Sequence, residues 1–423
     1  MSLPDSIQRN RGWLFSLYAM GAGFITYFAM YGFRKPFSVG RYDGNLEILD
    51  GVFLDTKILF IFSQVIGYTL SKFLGIKFVS ESSYHERSRL ILLFISVSWL
   101  ALLAFALAPP PLQAVCLFFN GLPLGMIWGL VFSFLEGRHA TEVLAAGLST
   151  SYIVASGMVK SVGRWTMSLG IPEDWMPAIT GLVFTPVLLL GLWMLSRIPP
   201  PSAEDEATRT RRAPMDRSAR RAFFRSYAPG LICLTLFYML LTAYRDIRDN
   251  FSREIWDELG FADQALVFTS SEVPVALFVL VTLTLVMFIR DNRRAVTVIH
   301  GLLVGGALLI GLATLAFEAG WLSPLAWMIA VGIGLYLGYV PFGSVIFDRI
   351  IAETRFVGTA AFMIYVTDAF GYLGSVGLMF YKNFAQTDMS WLGFFTGFSY
   401  VTSIACAAGF FFSLVYFARK ASV

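Results

Sequence analysis

The sequence predicts an all-α protein that crosses a membrane many times. Three observations carry that reading. The chain is 57% hydrophobic and 14% charged, and its mean hydropathy is +0.67. Apolar runs of about 20 residues, the length that spans a bilayer as a helix, recur from end to end. The connections between them are short. Backbone groups in lipid must be bonded within the chain, so runs of this length are expected to be helices.

Taken in order, the runs give twelve segments near residues 12–37, 53–79, 89–108, 112–135, 141–167, 175–198, 226–250, 264–290, 295–317, 322–347, 356–380 and 390–418. Arg9 and Arg11 precede the first, but it has full helix length and no small-residue cleavage site, so it is expected to stay as a membrane helix. Pro109-Pro110-Pro111 marks a tight turn between the third and fourth. With the N-terminus inside, the inner connections hold Arg9, Arg11, Lys77, Arg87, Arg89, Arg138, Arg290, Arg293, Arg294, Arg349, Arg355, Arg419 and Lys420. The outer ones near 109, 170, 319 and 386 hold almost none. The positive-inside rule then places both termini in the cytoplasm, in a protein of the inner membrane.

Residues 199–225 form the one long polar connection, with seven arginines. Rich in proline and charge, the stretch reads as a cytoplasmic linker between a six-helix half over 1–198 and another over 226–423. The halves look duplicated. Gly121, Leu122, Leu124, Gly125 and Phe134 match Gly334, Leu335, Leu337, Gly338 and Phe347 at a constant offset of 213 residues. Arg34 and Arg245 stand 211 apart, as do Gly147 and Gly358. Two pseudo-symmetric six-helix bundles are the plan of the major facilitator superfamily.

Other classes are set aside by what is missing. A net charge of +4 does not imply nucleic acid. Cys116, Cys233 and Cys406 sit singly in apolar runs and read as buried thiols, and His85, His139 and His300 have no ligand spacing. No metal, no cofactor and no enzymatic activity are expected, since no nucleophile–base pair or nucleotide loop is visible.

The chemistry-bearing stretch is FITYFAMYGFRKPFSVG, residues 24–40. A cation at the centre of a membrane helix costs roughly 2.5–3.5 kcal/mol. Arg34 and Lys35 therefore either serve an anion site or reach the outer headgroups, and both readings stand on these residues alone. Tyr27 and Tyr31 have helical spacing toward Arg34. The duplication favours the site: two arginines, Arg34 and Arg245, facing each other across the two halves would repel unless an anion lay between them. Each can offer paired N–H donors to a phosphate.

Several motifs resemble the organophosphate:phosphate antiporters of the major facilitator superfamily. YGFRKPF is similar to that family's first-helix Arg-Lys segment, and GYTLSKF in the second helix places Lys72 on a cavity lysine. Arg245 falls at the second phosphate-binding arginine. Glu272 with Pro274 resembles a glutamate before a helix break. LGYVPFG places Tyr339, and GTAAFMIYVTDAFGYLGS over 358–375 places Tyr372, on site tyrosines. The resemblance implies exchange of phosphate for an organic phosphate by rocker-switch alternating access in a monomer. The sequence departs from the pattern in four places. No histidine stands near Ala155, where Lys160 and Arg164 follow instead; Asp368 replaces a neutral residue; YRDIRDN crowds Asp246, Arg248 and Asp249 around Arg245; and KFVSESS is degenerate as an interhelical signature.

Asp368 reads as a partner for Lys160 or Lys72, or as a proton site or ammonium contact. Lys160 and Arg164 extend a cationic wall or sit near the outer face. Asp246 and Asp249 pair with Arg248 or Lys57, or form a gate, and Glu272 joins a salt bridge that resets during transport. Three functions follow: phosphate antiport, proton-coupled symport of an anion or zwitterion through Asp368, and a membrane sensor of the same fold with a partner on the linker.

Overall fold

A computed structural model describes residues 13–81, 84–135, 141–199, 217–354, 361–386 and 388–420. Arg9, Arg11, Arg138, Arg355, Gly358 and most of the predicted linker lie outside them. Helices stand at all twelve predicted positions. In chain order they are α1 (Trp13–Tyr31), α2 (Thr56–Glu81), α3 (Tyr84–Leu107), α4 (Pro110–Leu124), α5 (Ile127–Leu135), α6 (Thr141–Ser168), α7 (Met176–Leu195), α8 (Arg217–Asn250), α9 (Ser252–Glu258), α10 (Val267–Met287), α11 (Asn292–Glu318), α12 (Pro324–Ser344), α13 (Ile346–Glu353), α14 (Ala361–Ala385) and α15 (Trp391–Lys420).

The fourth and tenth predicted segments are each broken in two. Pro123 lies just before the gap between α4 and α5, and Pro341 just before that between α12 and α13. Proline removes a backbone donor and collides with the preceding turn, which ends a regular helix. α8 begins at Arg217, inside the stretch expected to be linker. Among the described residues, nine spans are long and apolar enough to cross a membrane. α2, α6 and α14 fall outside that set; they carry Lys72, Lys160 with Arg164, and Asp368. Charged residues lower the hydropathy of a membrane helix and are tolerated where they turn to protein or water.

One element was not expected. Asn45–Leu49 and Val52–Asp55 pair as an antiparallel hairpin, β1 and β2, in front of α2. Gly51 at its tip has φ +76°. Asp50-Gly51 between two apolar-alternating runs is a hairpin signal, hidden here because Val52–Leu54 also fit the start of an apolar helix. Gly44 O accepts from Thr56 N at 3.0 Å and closes the base.

The described residues form two compact units. Unit 1 takes those up to Pro199 together with Asn250–Val273. Unit 2 takes Arg217–Asp249 with those from Pro274 onward. In unit 1, α2 and α3 pack on α4, and α1 packs on α6 and α7. The α2–α4 contact is glycine-mediated. A Cβ at Gly67 would drive into the Phe118 carbonyl and stand 3.1 Å from Leu122 N, and one at Gly121 would strike the Gln64 carbonyl. Small residues that let backbones touch are the usual means of joining helices in lipid, where apolar burial gives no drive. In unit 2, α11 packs on α12 and α15. There Trp327 is fully buried, stacks on Phe317 at 4.2 Å and donates to Thr314 Oγ1 at 3.1 Å. Cys233 and Cys406 are buried as expected, whereas Cys116 is partly exposed.

Gly67→Leu and Gly121→Leu are each expected to cut the yield of folded protein and lower its thermal midpoint in detergent. The same change at Gly21, where an added Cβ meets nothing within 4 Å, should leave both near wild type.

Candidate functional site

α1 stops one residue before Gly32. A Cβ at Gly32 would come 2.5 Å from the Phe184 ring, so only glycine lets α7 approach here. The next three amides bond back three residues (Gly32 to Ala29, Phe33 to Met30, Arg34 to Tyr31) rather than four. Pro36 then opens a short 3-10 turn, Pro36–Val39. Arg34 and Lys35 emerge from this break, 8% and 6% exposed. The Arg34 guanidinium lies 3.8 Å from the centre of the Tyr68 ring and 5.8 Å from that of Tyr31. Lys72 Nζ lies 5.5 Å from the same Tyr68 ring. Tyr68 therefore carries two cations, each attracted by the negative face of its π system. Lys35 Nζ donates to Asn250 Oδ1 at 2.8 Å. Tyr27 and Tyr31 are buried and meet edge to face at 5.7 Å.

Lys160 is buried on α6. One turn earlier, a Cβ at Gly157 would stand 2.8 Å from Glu272 Cγ, so the stem of Glu272 packs on α6 beside it. Thr269 N and Oγ1 donate to Ser161 Oγ at 3.2 and 2.7 Å.

At the end of unit 1 that carries the hairpin, three arginines converge on Asp257. Arg41 Nη2 lies 2.6 Å from Oδ2, Arg164 Nη2 3.3 Å from Oδ1, and Arg253 Nε 3.6 Å from Oδ2. Arg164 also donates to the Ala262 carbonyl. Glu173 accepts from the backbone of Arg41 at 2.5 Å and of Tyr42 at 3.2 Å, and from Arg253 Nη1 at 3.1 Å. Lys57, also buried, donates to Glu254 on α9. The hydrogen bond to Asp257 raises the pKa of Arg41 above its ordinary value. Burial raises that of Glu254, against the pull of Lys57.

Unit 2 holds the second arginine differently. Arg245 Nε and Nη2 donate to Asp246 Oδ1 at 2.9 and 2.7 Å, and Nη1 donates to the Tyr339 hydroxyl. Its guanidinium carbon lies 4.6 Å from the Tyr339 ring centre. Asp246 Oδ2 accepts from Ser375 Oγ at 2.6 Å. Tyr339 stacks on Tyr238 at 5.0 Å, and the Tyr238 hydroxyl donates to Asp368 Oδ1 at 2.8 Å. Arg248 Nη2 donates to the Met328 carbonyl at 3.1 Å. Tyr372 is buried on α14, one turn past Asp368, and Asp249 is partly buried near the end of α8.

Among the sequence candidates, Arg34 and Lys72 thus meet at Tyr68 in unit 1, and Arg245 with Tyr339 in unit 2. Lys72 and Lys160 belong to unit 1, and Asp368 to unit 2, where its described partner is Tyr238. Tyr68 and Tyr238 were not singled out from the sequence. Both had a signal: Tyr68 stands one helical turn before Lys72, and Tyr238 stands 211 residues after Tyr27, the offset that separates the two arginines.

A protein-family model described as a family of unknown function, DUF5690, matches residues 36–420. No curated protein matches the sequence. Three solved structures resemble the fold along nearly its full length. A D-xylose–proton symporter aligns with TM-score 0.61 and 13% identity, covering 94% of this chain and 97% of its own. A bacterial homologue of the human lysosomal transporter Spinster, inward-facing and unoccupied, gives 0.61 and 14%, with 96% and 98% covered. FucP, a major facilitator superfamily transporter in its outward conformation, gives 0.59 and 13%, with 96% and 98% covered. The fold is that of the major facilitator superfamily, as the sequence predicts, and the protein is an integral, multi-pass membrane protein.

Removing the carboxylate on which three arginines converge takes a charged partner from Arg41, Arg164 and Arg253, at a cost of about 1.5–3 kcal/mol. Asp257→Asn is expected to lower the thermal midpoint clearly, and Asp263→Asn, at an exposed position outside this cluster, to leave it unchanged.

Proposed function

The chain belongs to the DUF5690 family and has the major facilitator superfamily fold, and on that premise we propose that it is a secondary active transporter of a small anionic solute, exchanging inorganic phosphate for an organic phosphate by alternating access. The observation that carries this reading is the convergence of Arg34 and Lys72 on the buried Tyr68, with Lys35 next to Arg34. Cations held inside an apolar unit are costly and are usually kept for a ligand or a pathway. At an effective dielectric near 20, one charge pair at 4 Å is worth about 4 kcal/mol, enough to offset much of an anion's desolvation.

In this reading Arg34 takes the phosphate as a planar fork, and Lys35 and Lys72 add point charge. Tyr27 and Tyr31 shape the aromatic wall. Arg245 is the second anion donor, exchanging its bond to Asp246 for a substrate oxygen, with Tyr339 and Tyr372 supplying hydroxyls. Asp368, Glu272, Asp249 and Lys160 take the coupling and gating steps. The protein works as a monomer in the inner membrane, with both termini cytoplasmic.

A second reading, proton-coupled symport of an organic anion or zwitterion, is favoured by one observation. Unit 2 holds two carboxylates beside its arginine and tyrosines, Asp246 on Arg245 and Asp368 on Tyr238. In this reading Asp368 is the carboxylate that couples to protons or faces a substrate ammonium.

Replacing the fork of Arg34 or Arg245 by lysine removes a charge-assisted hydrogen bond worth about 1.5–3 kcal/mol. At sub-saturating phosphate this is roughly a tenfold to hundredfold loss of exchange in proteoliposomes. Saturable phosphate exchange at the wild-type rate in both variants would overturn the phosphate reading. Uptake that needs an inward proton gradient and is uncoupled by Asp368→Asn would establish the second.

A further inference from the structure

The break at the end of α1 leaves carbonyls that its own backbone does not bond. Pro36 has no N–H, so the donor that would reach back four residues to Gly32 is absent. Ser38 N bonds to Lys35 O at 3.1 Å and does not reach Arg34 O. The carbonyls of Phe33 and Arg34 are met instead by two side chains from other helices. Asn120 Nδ2 on α4 donates to Phe33 O at 2.9 Å, and Gln64 Nε2 on α2 donates to Arg34 O at 2.8 Å. The two amides are themselves joined, Gln64 Nε2 to Asn120 Oδ1 at 2.7 Å. Asn120 Nδ2 spends its second hydrogen on Ser98 O at 3.0 Å, and Ser98 Oγ returns a bond to Asn120 O at 3.0 Å.

Every member is buried: Asn120 and Ser98 at 0% exposure and Gln64 at 3%. Both hydrogens of each amide nitrogen are used, and all four acceptors are carbonyl oxygens. Turning either amide over would set oxygen against oxygen, so the arrangement admits one orientation. A buried polar network is rigid when its bonds are satisfied and costly when any bond is removed. It grips the backbone at Phe33 and Arg34, and Gln64 lies one turn before Tyr68, whose ring carries the Arg34 guanidinium. The residues that hold the backbone of Arg34 and the ring under its side chain therefore share one helix face.

We propose that Gln64 and Asn120 are positioning residues for the anion, fixing the backbone from which Arg34 reaches the substrate. The inference rests on the reading of Arg34 as the anion ligand. Neither amide touches the ligand; both act through Arg34.

The test is phosphate binding by the purified full-length protein, measured calorimetrically for wild type, Gln64→Met, Asn120→Ser, Arg34→Gln and the double variants with Arg34→Gln. Size-exclusion profile and thermal midpoint are read alongside, and the two single variants stand in for each other should one not fold. Gln64→Met and Asn120→Ser are each expected to weaken phosphate binding by about tenfold, and to add nothing once Arg34 is already changed. A lowered midpoint with unchanged affinity would make the network structural only and overturn the proposal. So would losses that add to that of Arg34→Gln, since the amides would then act elsewhere. Unchanged affinity in Arg34→Gln itself would remove the anion reading of Arg34, and the positioning role with it.

Discussion

The position at which α1 stops governs the candidate chemistry of unit 1. An unbroken helix would carry Arg34 and Lys35 onward at the α-helical rise and bond its carbonyls internally. Gly32 under the Phe184 ring and the missing donor of Pro36 end it instead, and α2 and α4 supply the amides that satisfy the buried carbonyls left there. Two adjacent cations then leave a fixed point in an apolar interior, and the Tyr68 face receives one of them. The glycine contact between α2 and α4 serves the same end. It brings the two helices that carry Gln64 and Asn120 close enough for those side chains to meet.

The second arginine stands in different surroundings. At the common offset, Tyr27 corresponds to Tyr238 and Arg34 to Arg245, but Lys35 corresponds to Asp246. One sign inversion beside a kept arginine alters the local electrostatics. Arg34 is followed by a like charge and lies over a ring. Arg245 is followed by a carboxylate that takes two of its nitrogens. The two arginines therefore stand in different local fields. In the first, Arg34 lies over Tyr68 beside Lys35; in the second, Arg245 is held by Asp246 and Tyr339.

Much of this was legible in the sequence, and the reason is that bilayer physics leaves few options. The helix positions followed from apolar run length. Arg34, Lys35, Arg245 and Tyr339 were visible because charge inside apolar sequence is conspicuous and because a family resemblance marked the tyrosine. Neutral polar residues were not. Gln64 and Asn120 have the composition of any helix, and only their meeting across α2 and α4 reveals them. The hairpin was missed because Val52–Leu54 reads as well for the start of a helix as for a strand. Glu254 was not seen as a partner of Lys57 because it sits in a short helix whose return onto α2 no local pattern encodes.

The most direct measurement is uptake of labelled phosphate by the wild-type protein in proteoliposomes, preloaded with unlabelled phosphate or empty, with no proton gradient imposed. The account predicts saturable uptake in the preloaded vesicles and background in the empty ones, with the trapped phosphate replaceable by an organic phosphate. Equal uptake in both sets, or none in either, would contradict exchange at the Arg34 site.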